Sequence, residues 1–109
     1  MRRTLTRMLH RGGHQVIEAQ DGEEGISLFG TDHPDVVVTD IIMPQKEGIE
    51  TILNLRRENP TLPILAISGV LGRSNFYLEL AQKLGANGTL VKPFRAADLL
   101  REIDKLLPQ

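Results

Sequence analysis

The chain has 109 residues, a formal net charge of −1, 40% apolar residues and no cysteine. That length fits one small domain with a single core, and the composition excludes a disulfide framework, a thiol nucleophile and a cysteine zinc cluster. Without a basic excess, a membrane-length apolar run or a signal-peptide core, the chain reads as a cytoplasmic protein with no nucleic acid and no membrane among its partners.

Residues 1–11 are predicted to form a helix. Leu5, Met8 and Leu9 fall at i, i+3, i+4, with Arg2, Arg3, Arg7 and Arg11 on the other faces. Gly12-Gly13 stops it. His14 to Ala19 reads as a short strand. Asp21 then supplies an N-cap, with Glu24 three residues on, and opens a helix that turns Ile26 and Phe29 to the core. Val36, Val37 and Val38 form a β-branched run suited to a strand buried on both faces, and that strand ends at Asp40.

Pro44 stops the strand and fixes a loop, and Gly48 offers a left-handed or close-approach position before the next helix. This helix runs to about Glu58 and is predicted to bury Ile49, Ile52 and Leu53. Pro63 to Ile67 is another aliphatic strand, ending in Ser68-Gly69. A helix over about 73–84 aligns Phe76, Leu80 and Leu84, and Thr89 to Val91 forms a further short strand ending at Lys92-Pro93. The last helix, about 95–107, carries Leu99, Leu100, Ile103, Leu106 and Leu107 inward. Strands alternating with helices predict one α/β domain over 1–109, a parallel sheet with helices on both faces.

Three predicted strands end in polar residues: Asp40, Ser68 and Lys92. In a parallel sheet these tips share one edge, the edge where open α/β sheets place ligands. An isolated strand-end Asp is usually a solvated acid, Ser68 alone could cap a turn, and Lys92 alone could be a surface charge. A nucleophile, a hydroxyl and a cation on three such tips suit phosphoryl transfer. Asp40 is then the nucleophile, and Ser68 and Lys92 bind oxygens of the transferred group.

These segments resemble the receiver domain of two-component response regulators, of the chemotaxis-type single-domain fold. Asp40-Ile-Ile-Met-Pro-Gln-Lys-Glu-Gly48 is similar to the family's phosphoacceptor loop, and Glu18-Ala-Gln-Asp-Gly-Glu-Glu-Gly25 to its second strand–helix junction. Ile64-Leu-Ala-Ile-Ser-Gly69 is similar to its hydroxyl strand and Gly85-Ala-Asn-Gly-Thr-Leu-Val-Lys-Pro-Phe94 to its lysine strand. The resemblance implies a flavodoxin-like fold and a phosphoryl group passed to Asp40 from a sensor histidine kinase or phosphotransfer protein, with Mg²⁺ present. It implies switch roles for Ser68, Lys92 and Thr89, structural roles at the site for Pro44, Gly48 and Pro93, and a cis Lys92-Pro93 peptide. Such domains assist their own phosphorylation and dephosphorylation but are not classed as enzymes.

Two departures stand out. The family opens with a central strand ending in two adjacent acids that hold Mg²⁺, whereas here no Asp or Glu precedes Glu18. The reading is therefore of an N-terminally incomplete receiver, its metal ligands reduced to Asp40 and the backbone carbonyl of Ile42. The missing strand is expected to be compensated by residues 14–19 sliding beside 35–40, or by a homo-oligomer or swapped dimer. Thr89 also stands where the family usually carries Tyr or Phe. The competing function is a degenerate or truncated receiver that binds or dimerises without phosphorylation. An Asp-nucleophile phosphatase is disfavoured, because Ile42 stands where its second Asp belongs.

Overall fold

The computed structural model describes residues 2–18, 24, 27, 34–41, 46–68, 79, 82–83 and 85–107. Helix α1 spans Arg2–Arg11, strand β1 Val37–Ile41, helix α2 Lys46–Glu58, strand β2 Ile64–Ser68, strand β3 Gly88–Val91 and helix α3 Ala96–Leu106. The strands form a parallel sheet in the order β1-β2-β3. Outside these elements, Glu24 and Ser27 are helical, as are Glu79, Gln82 and Lys83. Both groups fall inside predicted helices whose other residues lie outside the described set.

The central strand is β2, not the valine strand. Ile64, Leu65, Ala66 and Ile67 are all fully buried, whereas Val36, Val37 and Val38 are half-buried. The difference follows from position: β2 has a strand on each side, and β1 has one neighbour among the described residues. Side chains alternate across β2. Leu65 and Ile67 join Leu5, Leu99 and Ile103 in one core, which Met8, Leu9, Val36, Val38, Leu90 and Phe94 extend. Ile64 and Ala66 thus take the other face. There α2, which packs on β1, buries Ile52 and Leu55. The expectation that Leu53 is buried is corrected: it is 38% exposed. Leu55 lies three residues after Ile52 on the same helical face, and Leu53 lies about 100° away from Ile52.

Helix α1 ends as its two glycines predict. The amide of Gly12 donates to the carbonyls of Met8 and Leu9, that of Gly13 to His10, and Gly13 takes φ 88°. Of the strand predicted at 14–19, residues 14–18 join no ladder and Ile17 is 53% exposed, while Ala19 lies outside the described residues. A strand requires a partner edge, and residues 14–18 pair with none of the three strands. Of the two expected compensations, the lateral slide onto β1 is therefore absent from the described residues. Helix α3 begins with Asp98 accepting the Arg95 amide at 3.0 Å, an acid placed at the positive end of the helix. Among the described residues no helix is long and apolar enough to cross a membrane.

Candidate functional site

Parallel pairing brings the three predicted tips to one edge of the sheet. The register sets Asp40 beside Ile67, Ile41 beside Ser68, and Ser68 beside Val91. Asp40 is therefore the penultimate residue of β1, Ser68 the last of β2, and Lys92 the first after β3. Adjacent strands are about 4.8 Å apart, so the backbone sets positions 40, 68 and 92 within about 10 Å along one edge. Fully buried aliphatics in β2 underlie this corner and fix its backbone.

Lys92 is half-buried, and the Lys92–Pro93 peptide bond is cis, as the resemblance implies. Phe94 then packs on the core and leads into α3, so the chain beyond Lys92 is held from below. Thr89 sits inside β3 opposite Ala66 and is half-buried. Leu90 faces the α1/α3 core, which puts Thr89 and Val91 on the opposite side of the strand.

Gly48 does not supply a left-handed turn. Helix α2 begins two residues earlier, at Lys46, and Gly48 lies in its first turn. A helix already started tolerates one glycine at a cost of about 1 kcal/mol. Pro44 and Ile42, the latter expected to lend a carbonyl to a metal, lie outside the described residues.

Among the described residues the donor set is sparse for Mg²⁺. Mg²⁺ demands near-octahedral oxygen ligation and usually keeps one or two carboxylates. The described strand tips contribute Asp40 alone, and no cluster of three or more His, Asp or Glu side chains forms among the described residues.

A network that the sequence did not reveal lies at the opposite end of the strands. Arg56, in the last turn of α2, donates to the carbonyls of Asn59 at 3.2 Å, Pro60 at 2.7 Å and Gly85 at 2.6 Å, and to Asn87 Oδ1 at 2.7 Å. The available signal was slight: an arginine at a helix end, and an asparagine just before a strand.

The response regulator receiver domain family matches residues 1–104. The chain belongs to that family. The receiver domain is 37% identical over 114 residues to the probable transcriptional regulator ycf27 of Porphyridium aerugineum, covering 96% of this chain and 45% of that protein. It is 37% identical over 107 residues to the response regulator MprA of Mycolicibacterium vanbaalenii, covering 98% and 46%. Among solved structures, the receiver domain of NtrX from Brucella abortus superposes with a TM-score of 0.87 at 25% identity, covering 97% of this chain and 88% of that one. The chain thus spans less than half the length of these sequence relatives. Its own role is that of a phosphoacceptor receiver domain of two-component signalling, on a flavodoxin-like α/β fold.

Proposed function

We propose that Asp40 is the residue that takes the phosphoryl group, with Ser68 and Lys92 as its partners. The observation that carries this is the register, which sets Asp40, Ser68 and Lys92 at one edge of a parallel sheet. A carboxylate oxygen of Asp40 attacks the phosphorus of a phosphohistidine on a sensor kinase or phosphotransfer protein. An O–P bond forms as the P–N bond breaks, and the imidazole leaves and takes up a proton. The Ser68 hydroxyl donates to a phosphoryl oxygen, and the Lys92 ammonium offsets the charge that gathers there. Thr89 takes the place of the family's switch aromatic and buries less surface on moving. The domain works in the cytoplasm as a substrate that assists its own modification, rather than as an enzyme with turnover.

The test is intact mass after incubation with acetyl phosphate, with and without Mg²⁺, beside Asp40→Asn. One phosphoryl adduct lost in the variant is expected. An adduct that persists in Asp40→Asn places the acceptor elsewhere, and a folded chain with no adduct removes the reading.

A second reading is favoured by the outer edge of β1, the side away from β2, where no strand pairs among the described residues. An unpaired edge of β-branched residues invites another strand. A second copy that pairs with or exchanges onto this edge would make the chain a phosphorylation-independent dimerisation module. Light scattering after size exclusion checks it. A monomer at all concentrations excludes this arrangement.

A further inference from the structure

We propose that Arg56, acting through Asn87, is a positioning residue that fixes where β3 presents Thr89 and Lys92 beside Ser68; this rests on the reading of Asp40, Ser68 and Lys92 given above. The ordinary role for such a side chain is to close the end of its own helix. Two of its bonds do that, to the carbonyls of Asn59 and Pro60. The other arm reaches residues 29 and 31 positions further along the chain, Gly85 and Asn87, which no helix cap requires.

Asn87 converts that reach into register. Its Oδ1 accepts both from Arg56 and from the amide of Ile64, the latter at 2.9 Å, and its own amide donates to the Ile64 carbonyl at 2.8 Å. Asn87 is thus clamped to the first residue of β2 in both directions. The next step of the ladder pairs Leu65 with Gly88, and the last pairs Ser68 with Val91. β3 is only four residues long, Val91 is 37% exposed, and Leu90 is the one β3 side chain packed on the α1/α3 core, so the clamp adds a second hold against slipping. A slip of one residue would turn every β3 side chain to the other face. The approach is also tailored at Gly85, which takes φ 129°, and a Cβ there would lie 3.0 Å from Arg56 Nε and 3.2 Å from its Cγ. Because α2 follows the segment that leaves Asp40, the clamp joins the helix after the acceptor to the strand that leads to Lys92.

The experiment measures amide hydrogen exchange by mass spectrometry on the full chain, together with the rate of Asp40 phosphorylation by acetyl phosphate. The variants are Arg56→Ala, Arg56→Lys, Asn87→Ala and Asn87→Asp. Local opening has its own free energy, so loss of the clamp is expected to speed exchange over 88–91 about tenfold or more, with α1 and α3 changed less than about twofold. Asn87→Asp keeps an oxygen that accepts from both donors and should behave as wild type. Arg56→Lys, lacking the fork that serves both arms, should fall between wild type and Arg56→Ala. Phosphorylation should slow in the order of β3 exchange. A uniform rise in exchange across α1, β2 and α3 would make Arg56 a general stabiliser and overturn the proposal. Unchanged β3 exchange in both alanine variants would overturn it as well. A wild-type chain that takes no phosphate refutes the reading of Asp40, while the exchange arm still decides whether Arg56 and Asn87 hold β3.

Discussion

Gly12, in the turn that ends α1, lies against the side chain of Leu100 in α3 so closely that a Cβ at position 12 would overlap Leu100 Cδ2 and stand 3.1 Å from Cδ1. This contact lets the end of α1 settle onto α3, and α1 contributes Leu5 to the core from the same packing. Gly12→Ala is expected to destabilise the domain by about 1–2 kcal/mol through overpacking. Leu100→Ala should remove the conflict, so the double variant should lose less than the two single losses combined. Urea denaturation of the three variants reads the coupling, and strict additivity would show that the two residues do not meet.

Gly85 and Gly13 both hold positive φ, at 129° and 88°, but in different surroundings. A Cβ at Gly13 meets nothing within 4 Å, whereas one at Gly85 meets Arg56. Gly13→Ala therefore carries only the backbone penalty, about 1 kcal/mol. Gly85→Ala adds displacement of the guanidinium and should cost about 2–3 kcal/mol in all. Thermal or urea unfolding of the two variants checks the order, and equal losses would mean that Arg56 yields without resistance.

Ile67 and Leu53 are both large aliphatics that a hydropathy pattern places in the core, yet Ile67 is fully buried and Leu53 is 38% exposed. Ile67→Ala is expected to cost about 2–5 kcal/mol through lost burial and the cavity left behind. Leu53→Ala should stay near 0.5 kcal/mol, roughly the range of surface changes. Leu55 is buried in the same helix, and Leu55→Ala should cost about 2–5 kcal/mol. Its comparison with Leu53→Ala by urea denaturation tests the rotation of α2 about its axis. A larger loss at Leu53 than at Leu55 would turn the helix the other way.

The residues that were legible in the sequence are those whose signal is local. Leu5, Met8 and Leu9 spell one face of α1, and the run Ile64 to Ile67, closed by Ser68, spells a buried strand and its tip. The positions of Asp40 and Lys92 near strand ends were readable for the same reason: an apolar run leads up to each, and parallel pairing puts those ends on one edge of the sheet. What the pattern missed depends on neighbours far away in the chain. Val36 to Val38 have the same β-branched character as a central strand, and only the sheet order makes them half-buried. Residues 14–18 contain Val16 and Ile17, but a strand exists only where an edge receives it. Arg56 and Asn87 offer no spacing that could pair them, because 31 positions separate them and the fold alone closes that gap.

Ser68 and Lys92 differ in how much they can contribute to phosphoryl transfer, and their substitution separates two parts of the proposed mechanism. Lys92 is half-buried one step past β3, and in the proposed mechanism its side chain offsets negative charge on the transferred group. Removing one preorganised donor of developing charge typically costs about a hundredfold to a thousandfold in rate, and less where solvent can substitute. Lys92→Met is therefore expected to slow adduct formation on Asp40 by about tenfold to a hundredfold, with little change in stability because the residue is not in the buried core. Ser68→Ala removes a neutral donor and should slow it by less, about tenfold or under, while Ser68→Thr keeps the hydroxyl and should retain most of the rate. Each variant is incubated with acetyl phosphate and followed by intact mass, with circular dichroism to match folded content. If Lys92→Met reacts as fast as wild type while Asp40→Asn is inert, the acceptor is right and the cation is not part of the site.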